Sequence, residues 1–169
     1  AIIGGWNTLK PLPRNTNLEG KKMPVSENDV RLLYDSTYID KKNNRVSEQE
    51  IFDTVFQMIH NANEFILIDF FLFGSSKEAH RHLALELTQN LIEKKASNPE
   101  ISINFITDRY NNMYLDGDAT SELKRLRESG INIIYSNMDR MRDSNIAYSA
   151  FWRLFFRWFG YSKNGWIKN

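Results

Sequence analysis

The sequence predicts an α/β fold, with a mainly parallel sheet flanked by helices on both faces. Three observations predict it. Short apolar runs rich in β-branched and aromatic residues alternate with amphipathic stretches of about ten residues or more. Capping and turn residues separate them. Strand–helix–strand connections of that length make right-handed crossovers between parallel strands.

The elements follow in order. Residues 1–28 read as a tether, because Pro11, Pro13 and Pro24 interrupt regular structure. Residues 1–6 are apolar and end in Trp6, with Lys10 beyond. That order suits the exit of a membrane anchor or an end packed on the domain. There is no initiator Met, so a trimmed or processed product is expected.

An α/β half-domain is expected over residues 29–137. "VRLLYDSTYI" at 30–39 predicts a strand, and "KKNNR" a polar turn. Ser47 and Glu50 have the spacing of a capping box. The helix after them places Ile51, Phe52, Val55, Ile59 and Ala62 on one face. Residues 64–73 are a nearly continuous apolar run, as expected for a strand buried on both faces. Ser75 and Glu78 repeat the capping-box spacing. A long helix with Leu83, Leu87 and Leu91 in a stripe then runs to about Lys95, and Asn98 with Pro99 breaks it. Residues 101–108 form a third strand. After a polar loop, 120–128 form a helix carrying Leu123 and Leu126, closed by Gly130. Residues 131–137 form a fourth strand, which completes a β-α-β-α-β-α-β order.

Residues 138–169 break that rhythm. Their centre reads "SAFWRLFFRWFGY". At ~100° per residue, Phe151, Trp152, Leu154, Phe155, Phe156, Trp158 and Phe159 share one arc, and Arg153 with Arg157 fill the gap. Asp143 or Ser144 is the expected N-cap. Two central arginines make a poor spanning helix. The apolar arc suits the core, a membrane surface or a partner's groove. The membrane reading assigns contact to Trp152, Arg153, Phe155, Phe156, Arg157, Trp158 and Phe159.

The net charge of +1 leaves no global field for nucleic acid. The absence of cysteine excludes a disulfide scaffold, thiol catalysis and Cys-based metal sites. His80 and His82 sit ~200° apart on a helix, so they do not form a metal pair, and His60 falls on a solvated edge. "DGD" at 116–118 lacks the spaced ligands of a calcium loop. No glycine-rich nucleotide motif occurs. No metal or cofactor is therefore expected.

Ligands of open α/β sheets bind beyond the carboxyl ends of the strands. Those ends make Asp69, Phe71, Phe73, Asp108, Arg109 and Asn111 the candidate pocket wall. Asp108 serves as a structural acceptor of loop amides or as a substrate contact. Asp69, inside an apolar run, needs a partner or a raised pKa if buried.

The segments "DVRLLYDSTYI", "SEQEIFDTVFQMIHNANEFILIDFFLF", "ISINFITDRYNNMY" and "LKRLRESGINIIYSN" resemble, in order and texture, the half-domain of the phospholipase D superfamily. "MRDSNIAYSAFWRLFFRWFG" resembles its cardiolipin synthase-like bacterial branch. The resemblance covers most of residues 29–160. It implies a phosphodiesterase or phosphatidyltransferase acting on phospholipid head groups, associated with a membrane of the bacterial envelope. In that family one His attacks phosphorus to give a covalent phosphohistidine. A second His protonates the leaving alcohol. The family's His-x-Lys-x4-Asp motif follows none of His60, His80 or His82. The resemblance therefore implies an inactive N-terminal portion whose catalytic residues lie in a missing C-terminal part. The phospholipid membrane, that C-terminal part and a second copy of the chain are the implied partners. A nuclease of the same family and a non-catalytic membrane scaffold are the alternatives.

Overall fold

The computed structural model describes residues 2–16, 18–74, 81–108, 119–137 and 140–156. Five α-helices and five strands lie among them. The chain is mixed α/β, and its centre is a parallel sheet of three strands in the order β3-β4-β5. These strands are β3 (Phe65–Phe70), β4 (Ser102–Thr107) and β5 (Asn132–Tyr135).

Helix α2 (Glu50–Asn61) leads into β3, α3 (Leu83–Ser97) joins β3 to β4, and α4 (Ala119–Glu128) joins β4 to β5. The strands step across the sheet in one direction, so right-handed crossovers put α3 and α4 on one face. Burial agrees. Ile66, Ile103 and Phe105 point into a core with Leu87 and Leu91 of α3 and Leu123 and Leu126 of α4. Ile59 of α2 joins the same core, flanked by Val55 and Phe56.

The other face carries Phe65, Leu67, Asp69, Ile106 and Ile134, and no described helix covers it. Leu67 is 61% exposed and Ile134 39%. The expectation of helices on both faces is corrected to one face among the described residues. The continuous apolar run at 64–73 is likewise half exposed, not buried on both sides. Its strand ends at Phe70.

The predicted first strand is also corrected. Only β1 (Asp35–Ile39) is extended, and it pairs antiparallel with β2 (Arg45–Gln49) in a hairpin apart from the parallel sheet. Asp40 organises the turn. Its Oδ1 accepts the amides of Lys42 and Asn44, each at 2.8 Å, and Asn43 takes the left-handed conformation (φ 63°).

Ser47 does not cap α2, because it lies in β2. The orphan amide of Ile51 is instead satisfied by Asp35 Oδ1 at 3.0 Å, from the opposite strand. The capping box at Ser75 and Glu78 lies outside the described residues. Gly130 closes α4 as expected. At φ 82° it lets Ile131 N–H reach the Leu126 carbonyl (3.1 Å) and its own N–H reach Arg127 (3.0 Å).

The tether is part helix. Helix α1 (Ile2–Leu9) packs antiparallel on α5 (Ile146–Phe151), which continues into a π-helical turn, Trp152–Phe156. The expected N-cap at Asp143 or Ser144 is corrected to Asn145, whose side chain accepts the Tyr148 amide at 3.0 Å.

Candidate functional site

The carboxyl ends of β3, β4 and β5 are knitted together by Thr107. Its hydroxyl donates to the Phe70 carbonyl (2.9 Å), and its carbonyl accepts the Ser136 amide (2.9 Å). Asp108 follows at once and is only 4% exposed. A carboxylate is thus held at the sheet edge where ligands of such sheets bind. Asp69 is placed differently. It is exposed on the face that no described helix covers, in register with Ile106 of the middle strand.

Phe71 is exposed and open to a ligand. Phe73 is not. It is buried edge-on against Phe105 (centroids 4.8 Å apart), so it supports the core and does not line a pocket wall. Arg109 and Asn111 lie outside the described residues, as does Arg157 with Trp158 and Phe159. Three of the six wall residues, Asp69, Phe71 and Asp108, therefore lie at or near one edge of the sheet.

Sequence reasoning missed a polar cleft of about 590 Å³ between the hairpin and α2. Arg31, Glu48, Glu50, Asp53, Gln57 and Arg81 line it. Arg81 forks onto Glu86 (2.7 and 2.9 Å), reaches Asp53 (2.8 Å) and stacks 5.5 Å from the Phe56 ring centroid. The hydrogen bonds it donates to Glu86, then to Asp53, hold its guanidinium above its ordinary pKa. Arg31 pairs with Glu50. Both cations are thus already matched by carboxylates, which makes the cleft a poor clamp for a phosphate. Arg81 and Glu86 are five positions apart, a spacing with no standard helical signal.

The aromatic segment presents Phe151, Leu154 and Phe155 to solvent, and Phe151 packs on Phe155 with tilted rings, centroids 5.0 Å apart. Trp152 is half-buried, and Phe156 closes the π-helical turn. Arg153 departs from its expected place on an outer polar face. Its side chain, 11% exposed, forks onto Asp143 at 2.9 and 3.0 Å. The same carboxylate accepts Ser149 Oγ. Arg153 holds Asp143 below the usual carboxylate range, with Ser149 adding to the effect.

Among the described residues no helix is long and apolar enough to cross a membrane, and no cluster of acidic or histidine side chains is placed to hold a metal ion. No protein-family model, curated protein or solved structure matches the chain.

Proposed function

We propose that this chain is a portion of a membrane-associated, phospholipase D-like phosphodiesterase or phosphatidyltransferase of the bacterial envelope. Its substrates are phospholipid head groups, and the His-x-Lys-x4-Asp residues belong to a part of the protein outside this chain. The observation that carries the reading is the β3-α3-β4-α4-β5 unit, with Asp108 at its carboxyl edge and an apolar face left open. That element order is the later part of the one on which the sequence resemblance rests; the expected first strand lies in the separate hairpin. An exposed row of Phe65, Leu67 and Ile134 is what a half-domain presents to the layer that completes it. The chain's role is to supply one wall of the pocket.

The test is turnover by the longer gene product. The expected result is cleavage or head-group exchange on phosphatidylglycerol, little action on DNA, and loss of both activities when the motif His is replaced by Ala. Cleavage of DNA alone assigns the nuclease reading. No turnover of either substrate by a folded protein with an intact motif removes both enzyme readings and leaves the scaffold.

A further inference from the structure

Helices α1 and α5 pack in reverse of a water-soluble pair. Gly4, Ser149 and Ala150 lie between them, and the Ile146 Cγ2 also reaches Gly4. A Cβ on Gly4 would stand 2.8 Å from the Ile146 carbonyl oxygen and 3.0 Å from the Ala150 Cβ, so only glycine permits this approach. Ser149 is buried at the same junction. The other large apolar residues face outward. Ile2, Trp6 and Leu9 form one stripe, and Trp6 is 65% exposed. Phe151, Leu154 and Phe155 form another. In water a helix pair buries its large apolar residues between the helices. In lipid the outer surface is the apolar one, and small residues mediate close contact.

The two ends of the pair differ. At one end Lys10 meets the start of α5. Arg142 Nε donates to the Lys10 carbonyl (2.8 Å), and the Asp143 amide donates to the Asn7 carbonyl (3.1 Å). Lys10, Arg14, Arg140, Arg142 and Arg153 face a single acid, Asp143, across residues 2–16 and 140–156. The opposite end carries Ile2, Ile3, Phe151 and Phe155. Arg153 starts nearer that end, yet folds back to Asp143 and so carries no unpaired charge into it.

We propose that α1 and α5 together form a two-helix wedge that enters the surface of an anionic phospholipid bilayer. The Ile2/Phe155 end goes inward, and the Lys10/Arg142 end stays at the head groups. At 1.5 Å per residue, the eight residues of α1 span ~12 Å, enough for the interface and part of one leaflet. This rests on the membrane part of the proposed function and not on its chemistry. Turnover of detergent-solubilised phosphatidylglycerol tests the chemistry, and vesicle partition tests the wedge.

The experiment is flotation of the whole 169-residue chain with vesicles of phosphatidylglycerol and phosphatidylcholine, against phosphatidylcholine alone. The chain should float with the anionic vesicles and lose that binding progressively as salt is raised. Trp6→Glu and Phe155→Glu, both at exposed positions, should each weaken binding by about tenfold or more, with the circular dichroism spectrum unchanged. Gly4→Leu should do the same with both outer stripes intact. Gly5→Ala, which adds its Cβ in open space, should leave binding as it is. Parent-like binding by Trp6→Glu overturns the two-helix wedge. So does failure of the parent chain to float, or its self-association without lipid through a contact that Trp6→Glu breaks.

Discussion

Asp143 shows how much one carboxylate can organise. It accepts a fork from Arg153 and the hydroxyl of Ser149, while its amide is bound to α1. Its lowered pKa fixes the sign of a pH effect. Ionised Asp143 favours the folded state above the unfolded value of about 3.9, and that contribution fades as pH falls through the lower folded value. Tryptophan fluorescence of the chain should therefore shift below about pH 4, and Asp143→Asn should flatten that shift. Neither the Asp143–Arg153 pairing nor the Asp35 cap on α2 was legible in the sequence. Both join residues whose spacing follows no local rule. Gly130 was legible, because a left-handed cap has a local cause. Gly130→Val should lower stability by about 1–2 kcal/mol, seen as a lower urea midpoint.

At the scale of elements, periodicity located α2, α4, the body of α3 and the strands of the parallel sheet to within a few residues, but α3 begins only at Leu83, so His82 sits at its N-cap and not within the helix. The stripe Leu83, Leu87, Leu91 is the clearest case, since Leu87 and Leu91 are fully buried. Leu91→Ala should cost about 2–5 kcal/mol by opening a cavity against the sheet, measured by denaturant unfolding. Pairing was less legible. The pattern of residues 30–39 fits a strand but does not say which strand it joins. The short polar turn led by Asp40 made the nearer strand its partner. Helix α1 was hidden behind the prolines that follow it. Its signal is the spacing of Ile2, Trp6 and Leu9 on one face with Gly4 on the other.

For the whole molecule, the main difference from the sequence reading is the side of the sheet that no helix covers among the described residues. A continuous apolar strand records two apolar faces, and it does not record where the second covering layer comes from. Asp108 stood out in the sequence as a carboxylate where an apolar strand opens into a polar loop, and it is buried at that strand end. The fate of Phe73 was not, because an aromatic beyond a strand end suits a pocket and a core equally well. If the proposed C-terminal part docks on Phe65, Leu67 and Ile134, adding it should protect the amides of β3 and β5 from hydrogen exchange more strongly than in this chain alone. Equal protection in both would mean that nothing docks on that face.

The meeting of α1 with α5 also sets an order of events. Lys10 and Arg142, which touch, are 132 positions apart, so the contact closes a very long loop. Contacts of such long sequence separation pay their closure entropy late. The β3–β5 unit, with shorter connections, should form first and bring the two distant segments within reach. During synthesis α1 emerges long before its partner exists, with its Gly4 face uncovered. A chaperone or a membrane surface would meet α1 before α5 does.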